Sequence, residues 1–401
     1  MEQKNSAVSI VTVKNKIPLY KGDTAAESIE LIELEEVGFE LVANKTLYTI
    51  GDKAIYIQPD YCLSDIEIFE SFLRPGGQEN KSMLGKVGGL PRRIRAKKFT
   101  LSKEPNGDPV YSNGILLPYQ DVCDYLTKIN KKETVYLHNL DLTNLLGITK
   151  YEEPEPGGPG LKNGQTAGIF PKGIYKTDED NINNNWNRIE KEFGYPITLI
   201  GTEKIDGSSI TIGITPDYPK GFICSRNLQK KLVEIKVTGR RSKTIWETLM
   251  FWTTPDLNIY QEIPSVDDFV KTGLPYLNQI KKTGYANIIL RGELNGGKAK
   301  GSGNKYNPAS KEDINIKFFG IDYMQSGVAI KDSYNDFLST IKLLGFPIVK
   351  TVFKKEFNSK EEIQKECNDY FKENKIEGIV IRSEDSTFSV KFMNLEYDSK
   401  K

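Results

Sequence analysis

Residues 152–160 of the 401-residue chain read EEPEPGGPG, and this stretch limits the fold more than any other. Proline fixes φ and removes a backbone donor, and glycine is costly to order, so no helix or strand interior runs through it. It sits within YEEPEPGGPGLKNGQTAGIFPKG, which reads as a connector. A chain of this length exceeds one ordinary core and suits two or three domains. The reading is a β-rich domain over residues 1–145, a Pro/Gly-rich connector over 146–185 and a larger domain over 186–401.

In the first region, alternating apolar segments appear in FELVANKTLYTIGDKAIYIQP, with Gly51-Asp52 at a turn, then in LPRRIRAKKFTL and SNGILLP. Short strands punctuated by turns predict a small closed or partly closed barrel. A helical pattern is found mainly at 119–128. In the last region the expected strands are ITLIGTEKI, SITIGIT, FICSRN, ANIILRGEL, INIKFFGIDYM, GIVIRSE and FSVKFMN. Ser333 with Asp336 opens a helix that Gly345 ends, and Ser359 with Glu362 forms a capping box. Strands outnumber helices without a strict βαβ order, so the fold class is α+β.

Composition narrows the chemistry. The only histidine is His138, which excludes most His-based catalysis and any multi-His metal site. Cys62, Cys123, Cys224 and Cys367 form no CxxC pair, so buried thiols are expected rather than a zinc ribbon or disulfide scaffold. With 55 basic and 54 acidic residues, bulk charge neither demands nor forbids a nucleic-acid partner. No long apolar run or signal peptide is visible, so a soluble, intracellular monomer away from membranes is expected.

Chemistry must then rest on Lys, Arg and carboxylates. Residues 202–209 read TEKIDGSS. If the strand continues, Lys204 and Asp206 share a face, and Gly207 turns the chain beside two serines. A lysine amine is a nucleophile only when deprotonated, which needs desolvation or neighbouring positive charge. Alone, Lys204 reads as a surface charge. Four further segments supply matching parts: Arg226 in SRN, Glu293 in RGELNGG, Glu377 in EGIVIR and Lys391 in the apolar strand FSVKFMN. Together they make a phosphoryl-transfer set without histidine.

Taken in order, these segments resemble the motifs of covalent nucleotidyltransferases, and among them the ATP-dependent RNA ligases. TEKIDGSS resembles motif I, SRN motif Ia, RGELNGG motif III, KFFGIDY motif IIIa, EGIVIR motif IV and SVKFMN motif V. The Ser-Ser after KIDG favours RNA ligase over capping enzyme. FPKGIYKTDED, GDKAIYIQPD and RRIRAKK extend the resemblance upstream, toward the RNA ligase 5 family. It implies an N-terminal OB-like β-barrel that binds nucleic acid. A nucleotidyltransferase domain, ATP-grasp-like and built on antiparallel sheets with flanking helices, would follow.

The resemblance also implies roles. Lys204 would attack the α-phosphorus of ATP, AMP would pass to an RNA 5′-phosphate, and a 3′-OH would displace it. Arg226 and Glu293 would bind the ribose, and Phe319 would stack on adenine. Asp206 and Glu377 would hold Mg²⁺ or Mn²⁺ through water, and Lys391 would contact the α-phosphate. Phe319 is preferred to Phe318 because alternation sets it on the face of Ile321. Two positions depart from the pattern: Ser389 stands where many relatives have another lysine, and Ile321 stands where an aromatic precedes Asp322.

Rival readings are weaker. RGELNGGKA approaches a P-loop, but Ala299 replaces the metal-ligating hydroxyl and Glu293 would repel phosphate. A DNA ligase or capping enzyme would continue into an OB domain after motif V. An RNA-binding protein with a decayed transferase domain would have lost Lys204 or Glu377, and both are present. The expected partner is RNA, as a nicked duplex, a hybrid with DNA or 3′-OH ends. RRIRAKK, GRRSK, LQKKL and the basic loop KAKGSGNKYN are candidate phosphate contacts.

Overall fold

The structure is a computed structural model describing residues 7–130, 137, 140–151, 166–249, 258–297 and 307–400. His138, the EEPEPGGPG stretch and residues 298–306 of the basic loop lie outside the described residues. The fold is α+β, and nearly all of its strand pairs are antiparallel.

The N-terminal region is organised by one long strand, Val8–Lys21, which pairs with Thr24–Leu34 on one side and Lys53–Ile57 on the other. It belongs to a seven-stranded sheet. In Lys53–Ile57, Ile55 and Ile57 enter one core with Val8, Ile115 and Val122, while Ala54 and Tyr56 enter a second with Val11 and Ile32. Both faces of that strand are therefore apolar, because successive side chains point to opposite sides. The strand ladders by themselves do not show the closed form of the expected barrel. Among the described residues the strand path runs from Ile115–Pro118 to Glu40–Asn44 and does not close. RRIRAKK is not one strand either. Leu90–Arg93 and Lys97–Ser102 lie in different sheets, with buried Ile94 between them.

The C-terminal region stacks a seven-stranded and a five-stranded sheet. Helices Asp268–Thr283 and Tyr334–Leu344 cover the first through Leu277, Ile280, Phe337 and Ile341. Lys360–Glu373 covers the second through Ile363 and Cys367. Ser333 and Ser359 cap their helices as expected, and Gly345 is left-handed. Helix Asp268–Thr283 escapes sequence reading because Gly273 and Pro275 interrupt its pattern. The Asp267 cap and the apolar face of Val270, Leu277 and Ile280 hold it nonetheless. All four cysteines are buried thiols outside any disulfide. Among the described residues no helix is long and apolar enough to cross a membrane.

The stretch between the two regions joins both. Thr149–Lys150 pairs with Tyr61–Cys62, Thr166–Ile169 with Leu228–Lys230, and Asp180–Asn181 runs parallel to Ser389–Met393. Asn184 Nδ2 donates to Gln58 Oε1 at 2.6 Å, and Gly38 N–H to the Asn183 carbonyl at 2.8 Å. A side chain at Gly38 would collide with Trp186, whose Cδ1 lies 2.6 Å from the place of a Cβ.

Candidate active site

Strand Ile197–Lys204 belongs to the five-stranded sheet and strand Ser208–Thr215 to the seven-stranded one. The chain crosses between the sheets at Ile205-Asp206-Gly207, and a cavity of about 430 Å³ opens there. Lys204 ends its strand opposite Gly378, so Glu377 is set beside it, with Nζ–Oε2 at 2.5 Å. One strand further, Val380 faces Lys391, which lines the same cavity. Asp206 does not share a strand face with Lys204, because the strand has already ended. The crossing turn brings it to the cavity instead. Its carboxylate accepts from the Tyr397 hydroxyl at 2.8 Å, and its carbonyl from Asn307 Nδ2 at 2.8 Å. Asp206 and Glu377 are only 5% and 7% exposed.

Gly207 has a packing reason. A Cβ there would lie 2.4 Å from the Leu294 carbonyl oxygen and 3.0 Å from Glu293 Cγ. Alanine would push the Lys204 turn away from the neighbouring strand. Displacements of that size cost about tenfold to a hundredfold in rate when they misplace a reacting group. If Lys204 is the nucleophile that the motif resemblance implies, Gly207→Ala should slow single-turnover labelling of the protein, and a wild-type rate would refute this account of the glycine.

Glu293 faces Ser209 across the ladder, and Arg226 follows strand Tyr218–Cys224; both line the cavity. Phe319 lines it too, while Phe318 is buried against Tyr276 and Phe346. The reason is not alternation. Register slips between Arg291 and Gly292, leaving Phe319 as the extra residue of a bulge, and Ile321 packs in the core with Phe318. Arg382 Nη1 holds the bulge by donating to the Phe319 carbonyl at 2.7 Å.

Residues 197–394 match the RNA ligase family. That region is an RNA ligase domain, and the chain is a polynucleotide ligase. No curated protein matches the chain. Among solved structures it is similar to an RNA ligase of Naegleria gruberi. In a form with AMP and Mn the identity is 21%, with 98% of each chain covered and a TM-score of 0.67. A form with ATP and Mn gives 20%, 99% of each chain and 0.67. A form with PPi gives 20%, 98% of each chain and 0.66.

The ligase cavity also receives residues that the motifs do not contain. Asp178 contacts Lys150, lies 3.4 Å from Arg226 Nη2 and 3.8 Å from Lys391 Nζ. Burial alone would raise the Asp178 carboxyl, but Lys391, Lys150 and Arg226 outweigh it and hold the group below the usual range. From the N-terminal region come Asp60 and Arg93, and from the connector Lys150 and Tyr151. Arg93 Nη2 meets Asp60 Oδ1 at 2.8 Å, and its guanidinium lies 3.9 Å from the centre of the Tyr151 ring. The Asp60 carboxyl is also held low: burial pushes it up, while Lys391, Arg93 and Lys204 pull it down more strongly. Asp178 lies in FPKGIYKTDED and Asp60 ends GDKAIYIQPD, so the resemblance reached both segments without giving either residue a role. Ser389 lines a smaller neighbouring cavity, not this one, and its Oγ lies 3.5 Å from Glu179 Oε1.

Proposed function

We propose that this ligase joins an RNA 3′-OH to a 5′-phosphate, at breaks held in a duplex, through ATP-derived lysyl-AMP and RNA-adenylate. The observation that carries the reading is the Lys204–Glu377 contact inside a cavity that Lys391 and Arg226 also enter. Lys204 Nζ, having released a proton to solvent, forms a bond to the α-phosphorus as the bond to pyrophosphate breaks, and sheds a second proton to solvent as it becomes a phosphoramidate. An oxygen of the RNA 5′-phosphate then displaces Lys204, and the 3′-oxygen finally displaces AMP. Each transfer gathers charge on phosphoryl oxygens, which Lys391 and Arg226 can stabilise, and the 3′-OH gives its proton to solvent as it attacks. Glu293 and Arg226 are assigned to the ribose and Phe319 to the adenine face. The cavity volume falls in the range of small-ligand sites.

Asp206 and Glu377 fit a hydrated divalent cation. Both carboxylates line the cavity, and among the described residues no group of three or more metal-binding side chains exists. Mg²⁺ keeps several waters, so two carboxylates suffice for water-mediated contact. When bound, the ion would neutralise phosphate charge. Tyr397 orients Asp206, and a hydrogen bond to a charged group is worth about 1.5–3 kcal/mol. Tyr397→Phe should raise the Mg²⁺ needed for half-maximal labelling by about tenfold. An unchanged metal titration would remove Tyr397 from this role.

The N-terminal region is read as an OB-like nucleic-acid platform and the chain as a relative of the RNA ligase 5 group. The Naegleria structures with ATP or AMP and Mn support the choice of nucleotide and metal. The test is to incubate the protein with α-labelled ATP and Mg²⁺ or Mn²⁺, denature it and look for bound label. Label on the protein, then sealing of nicked RNA, is expected; unlabelled wild type overturns the reading.

A further inference from the structure

Beyond the cavity, strands Val233–Arg240 and Asn258–Pro264 pair with each other in a two-stranded sheet of their own. This arm starts at the cavity rim. Lys230, Val266 and Asp267 line the cavity, Lys230 Nζ meets Asp267 Oδ2 at 3.4 Å, and Ser265 N–H donates to the Leu232 carbonyl at 3.2 Å. An isolated two-stranded ribbon is only marginally stable in water. This one nevertheless leaves Val237 and Ile259 exposed, and beyond it Ile245 and Trp246 are 79% and 74% exposed. Residues 238–246, TGRRSKTIW, carry three cations and no acid. Arg240, Arg241 and Lys243 are all exposed.

We propose that this arm grips the RNA strand next to the break, with Arg240, Arg241 and Lys243 on phosphates and Trp246 stacked on a base. The choice of RNA rests on the ligase reading above. Exposed cations interleaved with an aromatic suit a polyanion whose bases offer π-faces, and each feature alone would suit it less. The arm is rooted at the nucleotide cavity and carries its cations at the far end of the strand Val233–Arg240, roughly 23 Å along, so the grip falls on the strand flanking the ends that must meet.

Two variants test it, Trp246→Ala and the triple Arg240→Ala/Arg241→Ala/Lys243→Ala, all at exposed positions. Both should label with α-labelled ATP as wild type does. Binding is read by fluorescence anisotropy of fluorescein-labelled RNA, nicked duplex and single strand, over a salt series. The triple variant should bind at least about tenfold more weakly, and its slope of log affinity against log salt should flatten by about two to three. Trp246→Ala should lose at least about fivefold with the slope unchanged. Wild-type affinity and slope in both variants would overturn the proposal, as would a wild type that binds no RNA. So would variants that alter oligomeric state by light scattering, which would make the arm a contact between copies. Failure of wild type to label sinks the ligase chemistry instead, so the two readings fail separately.

Discussion

Lys204→Ala protein, incubated with α-labelled ATP and a divalent ion and then denatured, should carry no label. Removing a covalent nucleophile costs about 10⁴–10⁶ in rate, because what remains is binding and electrostatics without the bond-forming atom. Lys204→Arg should fail as well, since guanidinium stays protonated and offers no free amine. The same proteins should still join RNA that already bears a 5′-adenylate, because that transfer needs the cavity but not the amine. Lys204 is partly exposed, so melting near the wild-type temperature is expected and would exclude unfolding as the cause. Equal labelling of Lys204→Ala and wild type would end the assignment.

A second large effect is on stability. Arg291 Nε meets Asp322 Oδ2 at 2.6 Å, with both side chains 2% exposed. Arg291 Nη1 donates to Thr211 Oγ1 at 3.1 Å, and Tyr175 hydroxyl to Asp322 Oδ1 at 2.8 Å. Burial, reinforced by Asp322, raises the Tyr175 phenol and keeps it a neutral donor. Asp322→Ala leaves a buried guanidinium without its counter-charge, so a loss of about 3–5 kcal/mol in urea unfolding is expected. Arg291→Met combined with Asp322→Leu should lose less than Asp322→Ala, because the pair's desolvation cost is removed along with its attraction. A single variant within about 0.5 kcal/mol of wild type would show that the pair contributes little. The same cluster backs the Phe319 wall, so labelling should fall as well.

The motif residues were legible because strand ladders bring strand ends together. Lys204 faces Gly378, and Val380 faces Lys391, so Glu377 and Lys391 arrive beside the nucleophile by pairing alone. Alternation explained less than it promised. It failed at Asp206, where the strand had ended, and at Phe319, where a bulge broke the period. The contacts of Asp178, Lys150 and Arg93 are set by how the connector and the N-terminal region lie against the catalytic sheets, and such packing leaves no local period in the chain. Barrel closure was illegible for a related reason: turn-punctuated strands give pairing partners, not whether the last strand returns to the first.

The 2.5 Å pair of Lys204 and Glu377 makes the site self-timing. Before the first transfer, the carboxylate is matched by an ammonium. In the proposed intermediate that nitrogen is a phosphoramidate with no positive charge, so Glu377, 7% exposed, loses the Lys204 ammonium as one counter-charge. Losing one positive neighbour makes a buried carboxylate costlier to keep ionised, so the adenylated protein should hold a divalent cation more tightly than the free protein does. Covalent attachment would thereby prepare the pocket's charge for the two transfers that follow.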